Sequence, residues 1–304
     1  MTAPAVTVAV LTYDGERYLE ALLSAVEAQD YAGDVEVLVI DSGSTDATLE
    51  IVAAHPSVRL HTIPNDEFGH GRTRDLAARL ATGEIVAYLT HDAVPASPSW
   101  LRGLVEPLLE DPRIVAVVGK QIPRPDAPPV LKYDIQRVFE RLGPDHGYSV
   151  AFDGGWLETE AERDAAAFYS DANSAARRDV LTGPVPYRDV PYAEDQQLGR
   201  DVIDAGLRKA YAPRGAVLHS NDVTFRTLGA RIAADLEGLR SLGRPIPPVS
   251  RAAALAQALR WAYLDAPRIV TDREYPASRR LWWLVANPWW QLRKWGAYRR
   301  ASRL

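Results

Sequence analysis

The sequence predicts an α/β protein: a mostly parallel central sheet with helices on both faces, followed by a helical C-terminal extension. Three observations carry this. Over roughly the first 120 residues, short apolar runs alternate with segments of helical periodicity. Glycine, proline and small polar residues cluster between them. Past residue 240 the alternation stops, and helical spacing continues with a new charge balance and abundant tryptophan.

Val6–Leu11 reads as a short buried strand. Tyr18–Ala28 follows as a helix, because Leu19, Leu22, Leu23 and Val26 share one face. Val35–Ile40 is the second strand and ends at Asp41. Ser44 or Thr45 is placed to cap a helix over Ala47–Ala54, with Asp46 favourable in its first turn. Val58–Thr62 is a third strand, Thr73–Ala81 a helix and Ile85–Leu89 a fourth strand. Ser99 caps a helix running to about Glu110, and Val115–Val118 is a fifth strand. Pro123–Pro129 reads as a linker or surface loop. A helix from about Glu194 to Ala205 is closed by Gly206. A strand near Val217-Leu218 ends at His219, and a helix over Thr227–Leu239 leads to a break at Arg244–Val249. Arg251–Leu264 is helical again.

The 304 residues are sufficient for a sizeable core. Without cysteine there is no disulfide and no thiolate metal site. A metal would be held by carboxylate, imidazole or backbone oxygen, which favours Mg²⁺ or Mn²⁺ over zinc. The net charge of −5 is unevenly spread: from Ser250 onward there are eleven Lys/Arg and three Asp/Glu, hence +8, leaving −13 elsewhere. Six of the eight tryptophans fall in that stretch. The apolar run at Val6–Leu11 lacks the flanks of a signal peptide, and no apolar stretch approaches the ~20 residues of a membrane span.

In open sheets of this kind, ligands bind beyond the carboxyl ends of the strands. The residues there are Thr12-Tyr13-Asp14, Asp41-Ser42-Gly43-Ser44 and Thr90-His91-Asp92. Asp41 suits hydrogen bonds from a nucleotide's imide or ribose, or equally a turn with a helix cap. Asp92 suits a divalent cation bridging a diphosphate, or a turn before Pro95. His219 suits a metal ligand beside Asp92, or a structural role. Glu194-Asp195 suits a general base at a helix start, or ordinary N-terminal acids. Phe68–Asp75 holds Gly71 and Arg74 near a helix start and suits an anionic ligand, or a surface loop with a solvated basic end. No glycine-rich phosphate loop follows the first strand, and no Walker-type loop occurs. Dinucleotide-binding and P-loop enzymes are thereby disfavoured, as is a sugar-phosphate nucleotidyltransferase.

In this order the segments resemble glycosyltransferase family 2, of the GT-A fold. Val6–Tyr13 resembles the family's first strand and its nucleotide-contacting end. Val37–Asp46 resembles its nucleobase-binding segment, Thr90-His91-Asp92 its Asp-X-Asp metal motif, and Tyr192–Leu198 its Glu-Asp segment. The blocks Phe68–Ala77, Leu89–Pro95 and Asp171–Arg178 are most similar to bacterial rhamnosyltransferase-type members. The resemblance covers roughly residues 5–225. It implies a GT-A domain over 1–240, with a donor half to about 120 and an acceptor half beyond. The helical basic extension then occupies 241–304. It also implies an inverting, metal-dependent transferase that moves a sugar from a nucleotide-diphosphate donor, rhamnose from dTDP-rhamnose among the candidates. The acceptor would be a saccharide or lipid-linked saccharide in cell-surface glycan assembly. Thr12, Tyr13, Asp14, Asp41, Ser42, Gly71, Arg74 and His91 then bind the donor. Asp92 and His219 hold the metal, and Asp195, with Glu194 beside it, supplies the base. Thr90 replaces the first acid of the metal motif and leaves the cation one carboxylate short. That departure also allows a non-catalytic relative that binds a nucleotide or glycan.

Arg279–Arg303 combines tryptophan and leucine with seven basic residues and no acid. This suits the headgroup region of an anionic membrane, or packing on the catalytic domain or an oligomer contact, with Asn287-Pro288 interrupting any single helix. The expected location is cytoplasmic, peripheral at the inner face of the cell membrane. Nucleic acid is disfavoured because the rest of the chain is acidic.

Overall fold

A computed structural model describes residues 3–155, 157–241, 243–244 and 246–303. In chain order its elements begin with β1 (Val6–Thr12), α1 (Glu16–Glu27), β2 (Val35–Asp41), α2 (Thr48–Ala54), β3 (Val58–Thr62), α3 (His70–Leu80) and β4 (Ile85–Thr90). There follow β5 (Val94–Pro95), α4 (Trp100–Glu110), β6 (Ile114–Ile122), α5 (Pro129–Leu142), β7 (Ser149–Phe152), α6 (Glu160–Ala166) and β8 (Asn173–Arg177). The last are α7 (Arg178–Leu181), α8 (Glu194–Asp204), β9 (Arg208–Leu218), α9 (Leu228–Ser241), α10 (Arg251–Thr271) and α11 (Ala277–Ala301). The chain divides into two units: one runs to Ile122 and takes in Phe139–His219, the other holds Pro123–Val138 and the chain from Ser220 onward.

The first unit is built on β1, buried at every position because parallel partners flank it on both edges and helices cover it. The strand order is β3-β2-β1-β4-β8-β6-β9-β5, with β7 also paired to β9. β1, β2, β3, β4, β6 and β9 run one way, and β5, β7 and β8 run the other. Thr12 pairs with Asp41 and Leu11 with Thr90, so these strands end level. β6 and β9 finish at the same edge, and the antiparallel β8 starts there. One edge therefore gathers the segments after β1, β2, β4, β6 and β9 and the segment before β8. The core joins Leu19, Leu22 and Leu23 of α1 and Trp100, Leu101 and Leu104 of α4 to the valines of β1 and β2. The Trp100 Nε1–H reaches Asn173 Oδ1 at 3.0 Å, so its one polar atom is satisfied inside.

Several local expectations are corrected. Ser44 and Thr45 do not cap α2: the Thr48 amide donates to Asp46 Oδ1 at 2.9 Å, because Ser44 and Thr45 are committed to Asp41 and Asp14. The strand expected near Val217-Leu218 is eleven residues long, Arg208–Leu218, since β6 and β7 pair along its earlier part. Within Arg244–Val249, Pro245 lies outside the described residues, and the described remainder carries no helix or strand.

In the second unit, α9, α10, α11 and the start of α5 enclose Val130, Tyr133, Leu228, Ile269, Tyr275, Trp283 and Trp290. Lys132 is fully buried between Asp272 Oδ2 at 2.8 Å and Glu274 Oε2 at 2.6 Å, with Nζ 4.1 Å from the Tyr275 ring centre. The helical extension is present, and Pro288 does not interrupt it: α11 runs unbroken through that residue. An internal proline costs about 3 kcal/mol of helix stability. Tertiary anchoring on both sides outweighs that: Trp283 and Trp290 are buried, and Asn287 and Gln291 donate to Asp265 Oδ2 at 3.0 and 2.8 Å.

Candidate active site

The loops after β1 and β2 are stitched together. The Asp14 amide donates to Ser44 Oγ at 2.9 Å, and the Thr45 amide returns a bond to Asp14 Oδ1 at 2.9 Å. The Gly15 amide donates to Thr48 Oγ1 at 2.8 Å and the Glu16 amide to Asp46 Oδ2 at 3.0 Å, so Asp46 serves the starts of both α1 and α2. Asp14 takes a left-handed φ of 46°, a conformation that aspartate tolerates better than most residues. Asp41 lies at the centre of this arrangement and is closed to solvent. Its Oδ1 accepts from the Gly43 and Ser44 amides, each at 3.0 Å, and its Oδ2 from Thr12 Oγ1 at 3.0 Å and from Ser44 Oγ. The acceptor that the sequence reading offers to a nucleoside is saturated here, so Asp41 shapes the loop. Ser42 is likewise buried, its hydroxyl donating to the Thr12 carbonyl at 3.0 Å. Tyr13 is the exposed aromatic of the pair of loops. The His91 ring lies over Gly15, where a β-carbon would come within 3.1 Å of it.

Asp92 and His219, far apart in sequence, meet: Nε2 of His219 stands 3.4 Å from Asp92 Oδ2. Thr90 Oγ1 donates to Asp92 Oδ1 at 2.7 Å. On its other side, His219 Nδ1 is 2.8 Å from Gln121 Oε1, and Gln121 Nε2 donates to Ser170 Oγ at 2.9 Å. An amide oxygen only accepts, so Nδ1 donates to Gln121 and Nε2 is the ring nitrogen that faces Asp92. Burial opposes ionisation of Asp92, but the hydrogen bond and charge of His219, then Thr90 and His91, hold its carboxyl well below the usual range. One carboxylate oxygen and one imidazole nitrogen suit Mg²⁺ or Mn²⁺, and their spacing is near the ~3 Å edge of an octahedron with ~2.1 Å bonds. The Gln121–His219 contact is the orienting partner that metal-bound histidines ordinarily have. Among the described residues no group of three His, Asp or Glu converges as a cation cage.

A second cluster surrounds Arg74. Its guanidinium is buried and contacts Asp171 Oδ2 through Nε at 2.9 Å and Glu194 Oε1 at 2.7 Å. Asp171 Oδ1 accepts from Ser174 Oγ and from the Tyr187 hydroxyl, both at 2.8 Å. The Tyr88 hydroxyl donates to the Arg74 carbonyl at 3.0 Å, and its ring packs edge-on against Tyr187. Arg74 is thus a buried keystone and not the solvated basic end that an isolated loop would present. Gly71 is needed for close packing, since a β-carbon there would fall 1.8 Å from the Arg188 carbonyl oxygen. Of the two acids opening α8, Glu194 is buried against Arg74, while Asp195 keeps partial exposure and accepts its neighbour's amide, Gln196, at 2.7 Å. Burial, then the charges of Asp171 and Glu194, push the Asp195 carboxyl up to about 8, against the pull of Arg74. Burial likewise raises Asp171 to about 6.

Both clusters lie at the same sheet edge. Asp92 follows β4 and Asp171 precedes β8, and β4 and β8 pair through Leu89 and Asn173. Sequence reasoning missed Gln121, Asp171 and Tyr187 as site residues. Gln121 is the penultimate residue of β6, beyond the apolar run Ile114–Val118, and a polar residue close behind such a run was the available signal.

The family described as Glycosyl transferase family 2 matches residues 7–181 of the chain, which include Asp41, Arg74, Asp92 and Asp171. The chain belongs to glycosyltransferase family 2. Within it, the likeness is to rhamnosyltransferase-type members. The chain is 31% identical over 225 residues to an O-antigen chain rhamnosyltransferase of Salmonella typhimurium, covering 73% of this chain and 68% of that one. It is 28% identical over 200 residues to a second O-antigen chain rhamnosyltransferase, from Salmonella anatum, covering 63% and 58%. Among solved structures, a Pyrobaculum calidifontis mannosyltransferase in complex with GDP-Man and Mn²⁺ aligns with a TM-score of 0.61. Its identity is 22%, over 99% of this chain and 86% of that chain. Glucosyl-3-phosphoglycerate synthase of Mycobacterium tuberculosis, with Mn²⁺, UDP and phosphoglyceric acid, aligns at 0.53 and 22% identity over 80% of each chain. The fold is GT-A, with a mixed, mostly parallel sheet.

Proposed function

We propose that the chain is an inverting glycosyltransferase that moves a sugar from a nucleotide-diphosphate donor to an acceptor hydroxyl. One observation carries the reading: Asp195, the accessible carboxylate beside a buried Arg74–Asp171–Glu194 knot, shares a sheet edge with the Asp92–His219 pair. Tyr13, with the stitched loops around Asp14, Asp41 and Ser42, forms the floor for the nucleoside, and His91 borders it. Asp92 Oδ2 and His219 Nε2 are the groups that would hold Mg²⁺ or Mn²⁺, with Gln121 keeping that imidazole nitrogen aimed. Bound there, the cation would supply charge neutralisation for the departing diphosphate. Asp195 accepts the acceptor's hydroxyl proton while that oxygen attacks the anomeric carbon on the face opposite the diphosphate. The new C–O bond forms as the bond to the diphosphate oxygen breaks. A carboxylate whose pKa is raised towards neutrality is a stronger base than an exposed one.

The rhamnosyltransferase likeness supports rhamnose from dTDP-rhamnose as the donor. It also supports a saccharide or lipid-linked saccharide acceptor in cell-surface glycan assembly; a peripheral place at the inner face of the membrane rests instead on the basic, tryptophan-rich tail. Residues 1–240 would form the GT-A domain in this reading. Asp195→Asn with purified donor and Mn²⁺ tests it: transfer should collapse while donor binding persists, and near-normal transfer would sink the assignment. Thr90 at the first acid of the metal motif favours a second reading, a non-catalytic nucleotide- or glycan-binding relative. Absence of donor turnover with every nucleotide sugar tried, despite donor binding, would establish it.

A further inference from the structure

We propose that α10 and α11 form a helical hairpin that lies in the plane of an anionic lipid bilayer, with a defined apolar face inserted between the headgroups. Each helix buries one side and exposes a second apolar side. On α10 the buried residues are Ala254, Ala258, Asp265 and Ile269. Leu255, Leu259, Tyr263 and Val270 are exposed, Tyr263 at 79%, and at ~100° per residue they lie within about 80° of one another. On α11, Trp283 and Trp290 point into the unit, whereas Leu281, Trp282, Val285 and Trp289 are exposed, Val285 at 73% and Trp289 at 65%. This outer set spans about 100° on the side away from Trp283 and Trp290. Because Pro288 leaves α11 continuous, Trp282 and Trp289 stand two turns apart on one face. The α10 stripe is not apparent from composition, since its alanines dilute it.

Charge selects the occupant. The three acids after Ser250 are all used inside the unit: Asp265 by Arg137, Asn287 and Gln291, and Asp272 and Glu274 by Lys132. Eight of the eleven basic residues lie towards the two ends of the hairpin, and Arg260, Arg293 and Lys294 lie along it. Arg279 lies over the Trp282 ring near the turn, with its guanidinium carbon 4.8 Å from the ring centre. At the other end the Val249 amide bonds Ser302 Oγ at 3.2 Å, which brings Arg251 beside Arg299, Arg300 and Arg303. Burial and the charges of Arg303, Arg251 and Arg300 push the Arg299 guanidinium down, as expected where like charges gather. A second copy on this face would oppose like charges. An anionic headgroup layer neutralises them while the tryptophans occupy the interface. Among the described residues no helix is long and apolar enough to cross a membrane, so the hairpin rests on the surface.

The test is co-sedimentation of the full chain with vesicles of phosphatidylcholine alone or with added phosphatidylglycerol. Binding should appear only with the anionic lipid and weaken with salt, and brominated acyl chains should quench tryptophan fluorescence. The triple variant Leu259→Glu, Trp282→Glu, Trp289→Glu should lose roughly tenfold or more in partitioning with an unchanged circular dichroism spectrum, while Trp282→Phe, Trp289→Phe keeps most of it. Vesicle binding that is absent, indifferent to phosphatidylglycerol, or unaltered in the glutamate variant would overturn the proposal. So would concentration-dependent self-association that the same glutamates abolish without vesicle binding. Lipid binding is measured without transfer, so its failure would leave the catalytic reading standing.

Discussion

Replacing Arg74 by methionine isolates the central electrostatic claim. The guanidinium sits 2.9 Å from Asp171 and 2.7 Å from Glu194, and all three side chains are buried. Removing one partner of a buried ionic network leaves uncompensated charge and costs about 3–5 kcal/mol. Methionine fills much of the volume, so packing loss adds little. Lysine, with one ammonium in place of a fork, should fall between. The variant also carries a pH signature. Without Arg74 the folded pKa values of Asp171 and Asp195 move up, further above their unfolded values. For an acid of raised pKa, stability is fully present below the unfolded pKa and lost as pH rises through the folded one. The deficit of Arg74→Met relative to the parent should therefore be largest near pH 8 and shrink towards pH 5. Urea unfolding followed by fluorescence, with Trp100 in the core of the first unit, measures it at both ends. A deficit below about 1 kcal/mol, or one equal at pH 5 and pH 8, would refute the keystone role.

Other predictions follow from the same geometry. Transfer by the parent enzyme should climb with pH and level off above about 8, as Asp195 loses its proton, and Asp195→Asn should cost roughly 10²–10⁴-fold in rate with donor affinity kept. A profile flat between pH 6 and 9 would exclude Asp195 as the titrating base. Gln121→Leu should weaken Mn²⁺ binding by about 10–100-fold in calorimetry, by freeing the His219 ring, while leaving the apo fold intact. Unchanged Mn²⁺ affinity would show that the Gln121 bond does not orient a metal ligand. Lys209 is buried with its ammonium on the Phe168 carbonyl, and burial pulls it down to about 7 from an ordinary 10.5. Between those values the unfolded chain holds the extra proton, so stability should rise with pH by up to ~1.4 kcal/mol per unit and flatten in Lys209→Met. Parallel pH–stability curves for the two proteins would contradict this.

Much was legible in the sequence where local patterning and burial agree. Val8–Leu11, Val37–Ile40 and Ile85–Leu89 are continuous apolar runs because these central stretches of the sheet are covered on both faces. The Glu194 helix and its Gly206 stop were equally plain, the glycine adopting a φ of +69°. β8 was not legible as a strand: Asn173-Ser174-Ala175-Ala176-Arg177 carries no apolar run, and only its place between β4 and β6 makes it one. Pro288 misled because a local rule was weighed without the long-range bonds to Asp265.

The sequence by itself determined the class of fold, the order of its elements and the chemistry available at the strand ends, since these depend on periodicity and residue type. Tertiary structure decided how those groups are used. It brought His219 to Asp92 across 127 positions and aimed it with Gln121. It enclosed Asp41 in four donors, and it turned Arg74 from an apparent surface charge into the buried partner of Asp171 and Glu194. Each of these depends on which distant groups share a low-dielectric interior, and a linear pattern of residues does not encode that proximity in a readable form.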